Sequence, residues 1–215
     1  MIILFIKMKQ QIGLQYYKLK VRYWLWREKV IFLHRVSITN PLRVVIGSSG
    51  VFDPDWIPSN YQYLNLLVES HWQRAFGRRK ISSVLAEHVW EHLDAADGLD
   101  ALLRVYRYME DGARLRLAVP DGYSPNPAYI EMVKPGGSGE GCDDHKLLYN
   151  VDTLEKIMLE AGFHVERLEY YDSEGKFHRF PWSVLDGMVH RSMQHDQRNV
   201  DNKIVYTSLI LDGYK

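Results

Sequence analysis

Leu42-Arg43-Val44-Val45-Ile46-Gly47-Ser48-Ser49-Gly50 is the stretch on which the reading of this 215-residue chain turns. An apolar run of strand length that stops on glycine and small residues reads as a short buried strand with a tight turn at its carboxyl end. Downstream, Trp56–Asn60 reads as a second extended piece, with Tyr63–Leu66 a weaker one, and Glu69–Phe76 as a short helix. Ile81–Ala86 is again strand-like. Asp94 is placed to cap a helix through Tyr108, with Leu99, Leu102, Leu103, Tyr106 and Met109 at helical spacing. Asp111-Gly112 turns the chain into a strand over Ala113–Val119. Asp152–Ala161 reads as a helix closed by Gly162, and His164–Tyr171 and Val205–Leu211 as the last strands.

Strands alternating with helices define an α/β fold with a mostly parallel sheet, and the helix-free final strands predict an antiparallel C-terminal edge. Only residues 48–55 separate Gly47 from Trp56, whereas a parallel crossover takes about a dozen residues. The first crossover helix is therefore expected to be shortened or missing. The Pro- and Gly-rich segment 120–150 is long for a plain connection and reads as a lid.

The N-terminal region differs in character. Residues 1–35 carry eight Lys and Arg against Glu28 alone, so a chain of zero net charge is strongly basic at one end and acidic over the remainder. Residues 1–40 read as a basic, aromatic helical arm and 41–215 as the main domain. The arm suits packing of its apolar side on the main domain or on a partner chain, with its lysines solvated, then an anionic membrane surface, and nucleic acid least. No apolar run reaches about 18 residues, and the expected location is cytoplasmic, with peripheral membrane contact through residues 1–36. The single cysteine, Cys142, forms no internal disulfide and reads as a structural thiol.

In open α/β sheets ligands bind beyond the carboxyl ends of the strands. Four such ends are notable here: Gly47-Ser48-Ser49-Gly50; Ser59-Asn60, with Asn65 beyond it; Glu87-His88 followed by Glu91-His92; and Pro120-Asp121-Gly122. His92, Asp121 and His145 are candidate bases near the crevice and its lid. Tyr123, Asp144, Arg179, Arg191 and Arg198 are candidate acceptor contacts, since the arginines suit an anionic group. His88-Val89-Trp90-Glu91-His92 also matches a His-x-x-Glu-His zinc-hydrolase pattern. That motif requires a helix where a strand end is expected, and the site is read with no metal.

The run Ala86-Glu87-His88-Val89-Trp90-Glu91-His92-Leu93, with Asp111 through Ala118-Val119-Pro120-Asp121, resembles class I S-adenosylmethionine-dependent methyltransferases carrying EHVxEHL and AVPD segments. The resemblance continues through Gly136-Gly137, Asp143–Lys146, Glu160–Phe163 and Arg198-Asn199, and covers about Leu42 to Tyr214. It implies a Rossmann-like sheet binding S-adenosylmethionine, with Gly47, Ser48, Ser49 and Gly50 cradling the methionine part. It likewise implies Asn60 at the ribose, Asn65 near the adenine and Glu87-His88 beside the methyl group. The implied activity is methyl transfer to a small-molecule or glycan acceptor; the competing expectation is a catalytically inactive methyltransferase-like binding or scaffolding module. Two departures stand out: Ser48-Ser49 places side chains where glycine is usual, and Asn60 offers an amide where a carboxylate is usual.

Overall fold

A computed structural model describes residues 2–48, 55–139, 141–201 and 203–215, with side chains from Gln15 onward. The chain divides into two compact units, Met1–Thr39 and Asn40–Lys215. The first is a single helix, α1 (Ile2–Ile38), along which Tyr16, Tyr17, Tyr23, Trp24 and Trp26 are exposed. Among the described residues no helix is long and apolar enough to cross a membrane.

The second unit is built on a seven-stranded sheet of order β2-β1-β3-β4-β7-β5-β6. The strands are β1 (Arg43–Ile46), β2 (Ile57–Pro58), β3 (Ile81–Glu87), β4 (Met109–Pro120), β5 (His164–Tyr171), β6 (Phe177–Arg179) and β7 (Ser208–Tyr214). β2, β1, β3 and β4 are parallel neighbours, in the register Val44↔Ile57, Val44↔Val84 and Val84↔Leu115. β7 runs antiparallel to both β4 and β5, inserted between them, and β6 pairs antiparallel to β5 at the edge. The C-terminal side of the sheet is thus antiparallel, as the pattern predicts. β1 and β7 are buried almost throughout and β3 over Val84–Ala86, as central strands of the sheet.

Helices α2 (Glu69–Phe76) and α3 (Ala95–Tyr108) carry the crossovers into β3 and β4; α4 (Pro127–Val133) and α5 (Val151–Glu160) follow β4. Asp94 caps α3, its carboxylate accepting the Asp97 N–H at 2.9 Å. Asn150 and Thr153 close a capping box on α5. Trp72, Phe76 and Tyr108 stack between α2 and α3, with Glu69 accepting the Tyr108 hydroxyl at 2.8 Å and the Arg104 Nε–H at 3.0 Å. That ties the crossover into β3 to the crossover into β4.

The structure adds to and corrects several readings of detail. Segment 120–150 carries short elements of its own: Asn126 caps α4, accepting from the Ala128 and Tyr129 N–H groups, and a 3-10 turn spans Cys142–Asp144. The last strand starts at Ser208 instead of Val205, because Asn199 Oδ1 accepts the Val205 and Tyr206 N–H groups and keeps them out of the ladder. Asp111-Gly112 lies inside β4, where Gly112, at φ +79°, carries a register shift: Ile81 pairs with Met109 but Ser83 with Arg114. The link from β1 to β2 includes residues 49–54, outside the described residues, so the expected shortening of the first crossover helix lies there too.

Candidate functional site

A cavity of about 410 Å³ opens beyond the carboxyl ends of β1 and β3. Gly47, Glu87 and His88 form its floor, His92 and His145 one wall, and Arg191 and Arg198 another. Its volume is in the range of small-molecule pockets.

Each side chain is held by identifiable neighbours. His88, the first residue past β3, has φ +55°, an uncommon conformation for a residue with a side chain and one that concentrates at functional sites. Its Nε2 is 3.0 Å from the Ser208 Oγ of β7. The chain then makes a 3-10 turn over Trp90–His92 that buries Trp90 and Glu91. Lys146 and Leu147 donate their N–H groups to the Glu91 carbonyl at 2.8 and 3.2 Å, which brings His145 beside that turn. The His92 and His145 rings meet edge to face at 4.7 Å, and Asp144 Oδ1 is 2.7 Å from His92 Nδ1.

Glu87 acts as a clamp: its two carboxylate oxygens accept the backbone N–H groups of Arg191 (2.8 Å) and His190 (3.1 Å). That pulls the connection before β7 over the cavity. Arg198 pairs with Asp196 at 2.5 Å and lies over the Tyr206 ring at 3.6 Å. Burial pushes the Tyr206 hydroxyl up to about 12, so it stays a neutral donor.

The structure therefore brings together Gly47, Glu87, His88, His92, His145, Arg191 and Arg198, with Asp144 against His92. Other expected site residues are engaged elsewhere. Asp121 is fully buried, and its carboxylate accepts the N–H groups of Tyr123 at 3.0 Å and Tyr171 at 2.7 Å, stapling the β4 turn to β5. Burial, working against those two bonds, raises its pKa to about 6. The Tyr123 hydroxyl donates to Asp152 at 3.0 Å. Arg179 bonds Gln194 and lies 3.7 Å from Glu169. Asn60 and Asn65 use their side-chain oxygens on the N–H groups of Gln62 and Leu67, within their own turns. The Ser48 Oγ donates to the Ser59 carbonyl at 3.3 Å. Ser49 and Gly50 lie outside the described residues.

The sequence reading missed Met132, Val133, Cys142 and Tyr206 as cavity-lining residues. Cys142 is buried and donates its thiol to the Met132 carbonyl at 2.7 Å, as a structural thiol would. Nothing local in the sequence marks these residues, since the end of α4, the 3-10 turn over Cys142–Asp144 and the return before β7 deliver them. The helical geometry that a His-x-x-Glu-His zinc hydrolase needs is absent: His88 sits on a bend before the 3-10 turn, with its ring aimed at Ser208.

Four parallel strands, with the last strand inserted antiparallel, form a Rossmann-like sheet of the class I methyltransferase fold. No protein-family model and no curated protein matches the chain. Among solved structures, it is similar to a SAM-dependent methyltransferase from Archaeoglobus fulgidus, with 15% identity, TM-score 0.40 and coverage of 93% of this chain and 99% of that one. A SAM-dependent methyltransferase from Thermotoga maritima gives 16% identity and TM-score 0.44, with 93% and 95% covered. PigF with SAH gives 13% identity and TM-score 0.39; 63% of this chain is covered, and it spans about a third (31%) of PigF.

Proposed function

We propose that this chain transfers a methyl group from S-adenosylmethionine to a hydroxyl or amine of a small-molecule or glycan acceptor. The observation that carries the reading is the position of the cavity: it lies past the carboxyl ends of β1 and β3, floored by the Gly47 turn and Glu87-His88. This is the crevice where the fold family places its cofactor. The described residues fit such a ligand in volume, and Glu87 is the one carboxylate among the described lining residues, beside Arg191 and Arg198. Bound there, S-adenosylmethionine supplies an electrophilic methyl group that carries its own leaving group.

The chain's own contribution is positioning, the largest requirement of an in-line transfer. Glu87 fixes the Arg191 backbone, so the arginine wall is set before an acceptor arrives. Arg191 and Arg198 favour an acceptor bearing an anionic group. The His92–His145 wall faces the cavity, where an acceptor would lose its proton. Asp121, buried in its staple, supports the turn beneath.

One observation favours the non-catalytic reading: a Cβ built on Gly47 would come within 2.8 Å of the Val89 side chain, so Val89 already packs where the turn meets the cavity. Isothermal titration with S-adenosylhomocysteine separates the two. One binding site, lost in Gly47→Val, is the expected result; absence of binding overturns methyl transfer and leaves a methyltransferase-shaped binding module. We further propose a cytoplasmic protein whose basic arm rests on an anionic membrane surface, supported by the exposed aromatic residues of α1.

A further inference from the structure

We propose that Glu91, His92 and His145 bind a divalent transition metal of the zinc class on the wall of the cavity. The inference goes beyond methyl transfer, because the ligands belong to the chain whether or not a sulfonium occupies the crevice.

The argument starts from hydrogen-bond roles. Glu91 is completely buried, yet neither of its carboxylate oxygens has a hydrogen-bond partner. Around it stand imidazoles whose other nitrogen is already committed. His145 Nδ1 is 2.8 Å from the Val133 carbonyl, which can only accept, so Nδ1 carries the hydrogen. In the neutral ring, Nε2 then turns a lone pair toward Glu91 Oε1, 4.0 Å away. His88 repeats the pattern. Ser208 donates its hydroxyl to the Arg191 carbonyl at 2.8 Å and so accepts from His88 Nε2. That leaves His88 Nδ1 facing the same Glu91 oxygen at 3.0 Å, off the line of a hydrogen bond. Lone pairs and a buried carboxylate thus converge with no donor aligned between them, and a cation resolves the conflict.

Geometry and chemistry select the cation. Ligand-capable atoms of Glu91, His92 and His145 all lie within 4.8 Å of one another. Ligands on a tetrahedral zinc, at bonds of about 2.1 Å, stand roughly 3.4 Å apart, so side-chain rotations of about 1 Å complete the set. Two imidazoles and a carboxylate suit zinc-like ions better than magnesium or calcium. The His145–Val133 bond is the kind of outer contact that fixes the tautomer of a ligating histidine. His92 and His145 also line the cavity, so an acceptor or water oxygen there could complete the ligand set. The set differs from the His-x-x-Glu-His motif, since His145 comes from the connection between α4 and α5.

The test uses the full-length chain stripped with a chelator and titrated with zinc against a chromophoric competitor; cobalt(II) absorption reports coordination by nitrogen and oxygen ligands. One zinc per chain is expected, with affinity at least about tenfold weaker in His92→Ala/His145→Ala and unchanged in His178→Ala, whose ring lies on Asp172 elsewhere. Should the double variant fail to fold, His92→Ala alone, at a partly exposed side chain, provides the same comparison. Failure of the wild type to take up zinc, or equal affinity in the variants, overturns the site and leaves a protonated histidine as the partner of Glu91. Titration of the stripped and zinc-loaded chains with S-adenosylhomocysteine keeps the readings apart: zinc without nucleoside binding sinks methyl transfer alone, and the reverse sinks the metal site alone.

Discussion

Arg116 and Asp212 face each other across β4 and β7 as a doubly bonded pair, Nε to Oδ1 and Nη2 to Oδ2, both at 2.8 Å and both side chains almost fully buried. Arg116 spends its remaining Nη1 donor on the Ser183 and Gly187 carbonyls at 3.0 and 2.6 Å and lies over the Trp182 ring. One guanidinium therefore joins the strand insertion that defines the sheet to the connection that borders the cavity.

Removing that guanidinium leaves a buried carboxylate with its main partner gone. Arg116→Met is expected to lower unfolding free energy by about 3–5 kcal/mol, and Arg116→Met/Asp212→Leu to recover part of the loss. Urea denaturation of the single and double variants checks this; a double variant no more stable than the single one would contradict it.

Asp121 makes stability depend on acid in an unusual direction. Its pKa is raised from 3.8 to about 6 by burial, so the folded state binds the proton more tightly than the unfolded chain. The stabilisation is present below pH 4 and disappears as pH rises through 6, amounting to ~2–3 kcal/mol. Relative to Asp121→Asn, the wild type should lose stability between pH 4 and 7. Parallel curves for the two proteins across that range would refute the assignment.

Gly47 meets two constraints at once: φ is +67°, and a Cβ would lie 2.8 Å from Val89 Cγ2. Gly47→Ala is expected to cost about 1–3 kcal/mol. Gly47→Ala/Val89→Ala should relieve the clash and keep the backbone strain, giving an intermediate melting temperature. Equal melting temperatures for the single and double variants would show that Val89 is not what the methyl group meets.

The arm makes a separate prediction. The full chain should sediment with vesicles containing phosphatidylglycerol at low salt and be released as ionic strength approaches about 1 M, where charge attraction is screened within ~3 Å. A chain lacking residues 1–36 should stay in the supernatant. Binding that survives the deletion would move the contact to the main domain.

Much of the fold was legible because it follows from local rules. The apolar run before Gly47 and the Asp94 cap of α3 are short-range signals that the structure keeps, but the face α3 buries is Gly98, Ala101, Leu102, Val105 and Tyr108; of the expected positions only Leu102 is on it, Leu103 is exposed and Met109 begins β4. The late start of β7 was not legible, because the competing partner of Val205 and Tyr206 is Asn199, through a return in the chain. Site residues divide in the same way. Glu87, His88 and His92 follow a strand end, so their place at the crevice was readable; Asp121 lies at an equivalent strand end but turns its carboxylate inward to Tyr171, 50 residues later.

Alternation and periodicity, which depend only on neighbours in the chain, marked β1, β3, β4, β5, α2, α3 and α5, whereas the short β6 and α4 went unread and the extended piece expected at Tyr63–Leu66 is not a strand. The tertiary structure alone decided that β7 lies between β4 and β5, that the connection between α4 and α5 carries His145 to Glu91, and that Asn60 and Asn65 close their own turns. These outcomes depend on which distant donor reaches each acceptor once the chain has closed, and that competition is settled by packing in three dimensions.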